Sequence, residues 1–440
     1  MTDTRPRAAP THRRRRRSLG SYTVDRRPLA VPAYRRLWLA SAVSAVGGSF
    51  SLIAVPTQLF ALTGSSATVG ISAAVSFAAL AAASLLAGAL ADVVDRRRLL
   101  LAAHLGQGAT YLLLWIQAAA GLRSTAVLLA LVACQGVSYG TIMTTTGAVV
   151  PRLVPVHLLP AATGLSSLVR YTGSVVGPLL AGVLLPVVGL GTLYLLDAMA
   201  LIVVVWAVFR LPPLPAAGAR VGGVLVGVLA GIPDGFRHLF GNRLLAAVLG
   251  VDLAAMVFGM PSALFPELAE RDFGGPAGGG TALGLLYAAY PTGVLAMGLI
   301  SGTFTHARHH GGLTAAAAIS WGATVVVLAL APHLWTALLA LAAGGAANFL
   351  LSTFRNAITQ AATDDALLGR IQGTLTIVLT GGPQTANLLH GLTAAAVGAR
   401  AATAAGGLLT MVVTTLIVLI APQLRRYRPD RADAEGKILG

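Results

Sequence analysis

Charge is scarce in this chain. Of its 440 residues only 10% are Asp, Glu, Lys or Arg, against about 25% in a soluble globular domain, while 56% are hydrophobic and the mean hydropathy is +0.78. So few charges cannot cover a water-facing surface, and most of the exterior must face lipid. Cysteine is limited to Cys134, which excludes a disulfide framework and any cysteine-based metal centre. No Gly-rich loop ends in Gly-Lys-Ser/Thr, so nothing supports ATP hydrolysis by this chain, and no other enzyme signature is present. His306, His309 and His310 crowd one segment without a carboxylate or thiol beside them. They read as part of a basic loop, and neither a metal nor a cofactor is expected. Lysine is nearly missing as well, since Lys437 is the only one among 31 basic residues. With the abundance of Ala and Gly, that points to a GC-rich bacterial genome.

What is present is a succession of apolar runs. A spanning helix needs roughly 20 mostly apolar residues, and twelve runs qualify. In the first half they cover 37–62, 67–91, 99–121, 124–149, 158–186 and 189–209; in the second, 244–268, 281–303, 313–331, 334–354, 374–398 and 402–421. The expected fold is therefore an all-α integral membrane protein of two six-helix halves, 37–209 and 244–421. They are joined by a linker, 210–243, and flanked by tails, 1–36 and 422–440. The linker opens on Arg210-Leu211-Pro212-Pro213-Leu214-Pro215, which cannot continue a helix. Its later part, toward Phe240, has the pattern of an amphipathic helix on the membrane surface.

Charge placement tests that topology independently. Basic residues concentrate in the cytoplasmic segments of membrane proteins. With both termini inside, 27 of the Lys and Arg residues fall in tails, linker and inner loops, Arg123, Arg271 and Arg400 fall in outer loops, and Arg170 lies within a span. This places a multi-pass protein in a bacterial inner membrane with both ends cytoplasmic. It also explains most of the net charge of +16. The run Arg13 to Arg17 then reads as a disordered, solvated tail that reinforces orientation, and no nucleic-acid partner is expected.

Two stretches carry more specific information. Between spans 2 and 3, Gly88-Ala89-Leu90-Ala91-Asp92-Val93-Val94-Asp95-Arg96-Arg97-Arg98 sets opposite charges at the point where a helix leaves the bilayer. In span 5, Gly164, Gly173, Gly177-Pro178 and Ala181-Gly182 leave a flat groove for close helix packing, and Pro178 removes a backbone hydrogen bond. Six spans, a linker and six more, together with these stretches, resemble the major facilitator superfamily. The first stretch resembles its loop 2–3 motif, which implies a cytoplasmic latch built from Gly88, Asp92, Asp95 and Arg96. The corresponding turn of the second half, Gly302 to Arg308, lacks the acid. The second stretch resembles the motif of proton-coupled antiporters, with Ala181 replacing one Gly. Shorter pieces in order, among them Tyr34-Arg35-Arg36-Leu37-Trp38, Asp252 to Pro261 and Leu368 to Gly373, are similar to the exporters that include the enterobactin exporter and the macrolide efflux proteins.

Ionisable groups within the bilayer are costly and default to functional hypotheses. Asp252 lies about 13 Å into span 7 at 1.5 Å per residue, and is the first candidate for a proton carrier. Arg170 is its candidate counter-ion or an anion site, and His104 and His390 are further proton-coupling candidates. By the superfamily pattern, Gln58, Gln135, Tyr139, Thr144, Met256 and Asn348 would line a central cavity. The resemblance implies a monomeric transporter in the lipid bilayer that exports a small organic compound, whether drug, siderophore or secondary metabolite, with the proton gradient as energy source. Two alternatives stay open: a facilitator or symporter importing a nutrient, and a membrane-anchored binding or regulatory protein acting through its Arg-rich tail.

Overall fold

Hydrocarbon offers no water to backbone amides, so an apolar run must close its hydrogen bonds internally, as a helix. The computed structural model describes residues 25–91, 93–215, 237, 239–275, 280–301, 304, 307, 309–363 and 365–427, and no strand occurs among them. Expectations for Arg13 to Arg17, Asp92, the amphipathic part of the linker, His306 and the tail from residue 428 fall outside the described residues. The helices are α1 (Pro32–Thr63, interrupted between Gly47 and Phe50), α2 (Ser66–Leu90), α3 (Arg96–Ala119) and α4 (Thr125–Leu153). The stretch Leu159–Phe209 follows, and then α7 (Arg243–Gly259), α8 (Gly280–Leu299), α9 (His310–Leu330), α10 (Leu334–Ala361), α11 (Asp365–Val397) and α12 (Ala399–Ile420).

Leu159–Phe209 is two spans. Straight, its 51 residues would reach about 77 Å, far beyond a hydrocarbon layer of roughly 30 Å. It breaks at Gly189, whose φ of 76° is left-handed and costs glycine nothing. Both of its ends return to the start of α1: Tyr34 Oη donates to the Ala162 carbonyl at 2.9 Å and Arg36 to that of Arg210 at 3.5 Å. The arms are α5 (159–188) and α6 (190–209). Gly398, with φ 86°, makes the same single-residue turn between α11 and α12. The expected all-α membrane fold thus holds, and the described helices are consistent with two sets of six that share this last hairpin.

The helix starts are written locally. Asp95 caps α3 by accepting from the Arg97 and Arg98 amides, Ser124 caps α4, and Asn242 caps α7. Two boundaries differ from the apolar reading. The tenth span runs on to Ala361 and the eleventh begins at Asp365. The polar residues there (Thr353, Arg355, Asn356, Thr359) lower the local hydropathy, yet Arg355 and Thr359 are buried inside the bundle.

Within the first half α2 packs on α4, and α3 on α4 and α6; within the second, α9 packs on α10 and α12, and α8 on α10. The halves meet along two seams, α2 with α11 and α5 with α8. Trp321 of α9 is a centre of the second half: its indole donates to the Ala255 carbonyl at 3.0 Å, and Gly259 and Gly344 leave room for its ring. Leu112, Ile116, Ile202, Trp206, Leu416 and Leu419 stay exposed on α3, α6 and α12, an apolar exterior suited to lipid. The end of the bundle that bears residue 25 is called the tail end below, and the opposite end the far end.

Candidate functional site

Asp252 of α7 is 1% exposed and faces one cation. Arg355 of α10 donates from Nη1 to Asp252 Oδ2 at 2.7 Å, and its Nε and Nη2 hold the Asn356 side-chain oxygen at 3.3 and 3.1 Å. Two charges sealed from water are tolerable only when paired and hydrogen-bonded, and this pair meets both conditions. The expected counter-ion is corrected here. Arg170 is exposed, donates to Ser167 Oγ at 3.3 Å and lies over the Tyr171 ring, while Asp252 belongs to Arg355. Arg355 escaped the sequence reading because the tenth span was ended one residue before it, which made it an inner-loop charge. Its spacing was the available signal: it follows Asn348 by seven residues, two helical turns along one face.

Both halves interrupt their first helix at matching depth. α1 breaks after the 16 residues Pro32–Gly47, and α7 ends after the 17 residues Arg243–Gly259, ahead of Pro261. A break frees backbone groups that lipid cannot satisfy. At the α7 break, His390 of α11 bonds the Phe258 carbonyl at 2.9 Å, and Asn387 one turn earlier accepts from Ser262 Oγ at 2.6 Å and the Ala263 amide at 3.0 Å. Tyr287 of α8 donates to the Ser262 carbonyl at 3.2 Å. His390 is therefore a brace. At the α1 break the Ser51 amide donates to Asp197 Oδ2 of α6 at 2.7 Å, and the Ser51 hydroxyl bonds the same oxygen. His104, the other candidate histidine, is buried and bonds the Leu100 carbonyl of its own helix at 2.8 Å.

The small residues of α5 serve two partners. A Cβ on Gly173 would sit 2.6 Å from Ala45 Cβ, and one on Gly177 2.2 Å from Ser49 Cβ, so both fit the broken part of α1. Gly182 meets Gly284 of α8, where a Cβ would stand 2.6 Å from Cα, and the Pro178 carbonyl lies against the same glycine. Gly164 is the exception, with no other residue's atom within 4 Å of a Cβ placed there, and it packs no helix in this state.

Three hydrogen bonds join the halves at the far end. Ser66 Oγ bonds Glu267 Oε2 at 2.5 Å, Arg271 donates to the Gly64 carbonyl at 3.2 Å, and Thr281 to that of Gly182 at 3.5 Å. Arg271 also pairs with Glu267 at 2.9 Å and covers the Phe60 ring. Close glycines reinforce this closure, with Gly70 against the Asn387 carbonyl and Gly391 against that of Ser66. The far end is shut. Tyr139 and Arg170, near one another at mid-depth, remain exposed. An arginine there facing lipid would be costly.

Of the expected latch, Asp92 lies outside the described residues, while Asp95 and the Arg96 backbone hold the start of the linker. Asp95 Oδ2 accepts from the Leu214 amide at 3.1 Å while the Arg96 amide donates to the Leu214 carbonyl at 3.1 Å. Arg97 donates to the Phe209 carbonyl and lies over its ring, and Arg152 donates to that of Pro215 at 2.9 Å. The described part of this turn thus docks the start of the linker onto its own half, with Leu211 and Leu214 buried. Gly88 lies beside the Thr144 methyl of α4 in that half.

The cavity candidates divide. Gln58 is buried in a reciprocal amide pair with Gln117 (3.3 and 3.0 Å) and accepts from Tyr194 at 2.8 Å, so it bonds α1, α3 and α6 together. Gln135 is half-buried on α4. Met256 sits against Gly382 of α11, Thr144 and Asn348 are half-buried, and Tyr139 is the most open.

Residues 24–435 match the sequence pattern of transmembrane secretion effectors. The enterobactin exporter EntS of Shigella flexneri is 30% identical over 399 residues, 90% of this chain and 93% of that one. EntS of Escherichia coli O6:K15:H31 is 30% identical over 412 residues, covering 92% and 96%. Among solved structures, the nucleoside transporter NupG superposes with a TM-score of 0.69 at 11% identity, over 88% of this chain and 99% of that one. A bacterial homologue of the human lysosomal transporter Spinster gives 0.67 at 15% identity, over 92% and 99%.

Proposed function

Since the chain belongs to the transmembrane secretion effectors of the major facilitator superfamily and is a membrane efflux transporter, we propose that it exports a small organic compound across a bacterial inner membrane in exchange for protons. The observation that carries the coupling is the Asp252–Arg355 pair, sealed within the second half while the far end is closed. Protonating Asp252 removes the attraction that holds Arg355, so proton binding acts on the contact between α7 and α10. Because neither group reaches water in this state, proton exchange needs a rearrangement of the halves, and that requirement ties proton passage to an alternating cycle. One proton moving down the potential contributes roughly 2.3 kcal/mol per 100 mV.

Orientation follows from charge. With Arg355 moved from a loop into a span, the count of basic residues on the tail side falls from 27 to 26 against three on the far side, so the tail end is cytoplasmic. On this reading the closed far end makes the cytoplasmic end the side from which cargo enters. The relatives export enterobactin, which makes a siderophore, a drug or a secondary metabolite the cargo class. The chain works as a monomer, without a cofactor.

The test is the internal pH of inverted membrane vesicles when candidate compounds are added, with the natural chain and with Asp252→Asn. Compound-triggered proton release that vanishes in the variant supports antiport through Asp252. Release that survives the substitution removes Asp252 from the path. Labelled compound crossing with no proton movement replaces the antiporter by a facilitator.

A further inference from the structure

The two helix breaks are alike in depth and unlike in chemistry. At α7 the freed groups are taken by a neutral amide, Asn387, and by His390. His390 donates from Nε2 to a carbonyl, and a second proton on its other nitrogen leaves that donation intact. At α1 the brace is a carboxylate. Asp197 is fully buried, Oδ2 takes both donors of Ser51, the Phe50 amide faces it, and Oδ1 has no hydrogen-bond partner. No cation pairs with it among the described ion pairs. The titratable groups in its electrostatic reach are Tyr111 of α3 and Tyr194, one turn earlier on α6; Ser51 of α1 is the polar group in contact. A charged residue kept this deep without a counter-ion is not explained by packing.

We infer that Asp197 is a second proton-binding site, which grips the outer half of α1 when ionised and loosens it when protonated. The inference rests on the proton-coupled reading above and adds a site in the other half. The ionised carboxylate meets the N-terminus of the helix Phe50–Thr63, where amide donors and the helix dipole favour negative charge. Hydrogen bonds to an ionised acceptor are about twice as strong as neutral ones, so adding a proton, on the free Oδ1, weakens the grip. The released half of α1 ends in the far-end closure, since Phe60 lies under the Arg271 guanidinium and the Gly64 carbonyl bonds it. Protonation therefore favours opening of the far end. By reciprocity the open state binds the proton more tightly and the closed state releases it. That is the order an antiporter needs, with the proton taken up from outside and given up after closure.

The test reads far-end opening directly, without cargo. Spin labels are placed at Leu122, in a far-end turn, and Trp335, at the far-end start of α10, both exposed, in a Cys134→Ser background in lipid nanodiscs, and their separation is measured against pH. The natural chain is expected to widen on acidification. Asp197→Asn should stay at the acid-end separation at every pH. Ser51→Ala keeps the carboxylate but removes one donor to its ionised form, and should move the midpoint up by about one pH unit; this variant decides the matter if Asp197→Asn does not fold. A pH response in Asp197→Asn equal to that of the natural chain overturns the inference, as does an unshifted midpoint in Ser51→Ala. The two readings fail separately. Cargo-driven proton release together with an unchanged response in Asp197→Asn removes only this site, whereas a response that follows Asp197 without cargo-driven release removes only the antiport reading.

Discussion

At the scale of single residues, the deciding contrast is between two arginines. Arg355 is buried against Asp252, and Arg170 is exposed beside Ser167. Arg355→Gln leaves a buried carboxylate without its partner, a loss of about 3–5 kcal/mol, and should lower the thermal unfolding midpoint in detergent. Adding Asp252→Asn should restore part of that loss, because the uncompensated charge is gone. Arg170→Gln should change the midpoint little, within about 0.5 kcal/mol. Asp252 was legible in the sequence because an acid nine residues into an apolar run stands out. Arg355 was not, since arginine near a helix end reads as a loop charge until the helix is seen to run six residues further. Asp197 also stands as an acid within an apolar run, but its partner, a backbone amide across α1, leaves no trace in residue type.

At the scale of elements, α5 carries the most information. Its glycines predict close packing, and three of the four have it, yet the partners are readable only in three dimensions: α1 for Gly173 and Gly177, α8 for Gly182. Gly173→Ala and Gly177→Ala should each overpack the α1 break and cost about 1–3 kcal/mol, seen as a lower unfolding midpoint. Gly164→Ala meets open space and should be neutral or stabilising by up to about 1 kcal/mol, the helix preference of Ala over Gly. The breaks themselves were hidden. Gly47-Gly48 and Met260-Pro261 are ordinary pairs within apolar runs, and only the matching depth in the two halves shows them to be a repeated device.

At the scale of the whole molecule, the all-α membrane fold followed from hydropathy and charge, because both respond to the bilayer and neither depends on detailed packing. Which end is closed did not, since it is a property of one state. Ser66→Cys with Glu267→Cys, in the Cys134→Ser background, places a crosslink across the far-end contact. Oxidation should stop export and reductant restore it; export that continues through the crosslink would contradict a cycle that opens this end. Deleting residues 1–24 should leave export intact with normal membrane insertion, and loss of transport in an inserted protein would give the Arg-rich tail a working role. The central claim is that cargo leaves at the expense of a proton gradient. The most direct measurement imposes a gradient, acid inside, on inverted vesicles and follows a labelled compound that triggers proton release. The account predicts accumulation above the external concentration that drains when a protonophore is added, and equal levels with and without the gradient would contradict it.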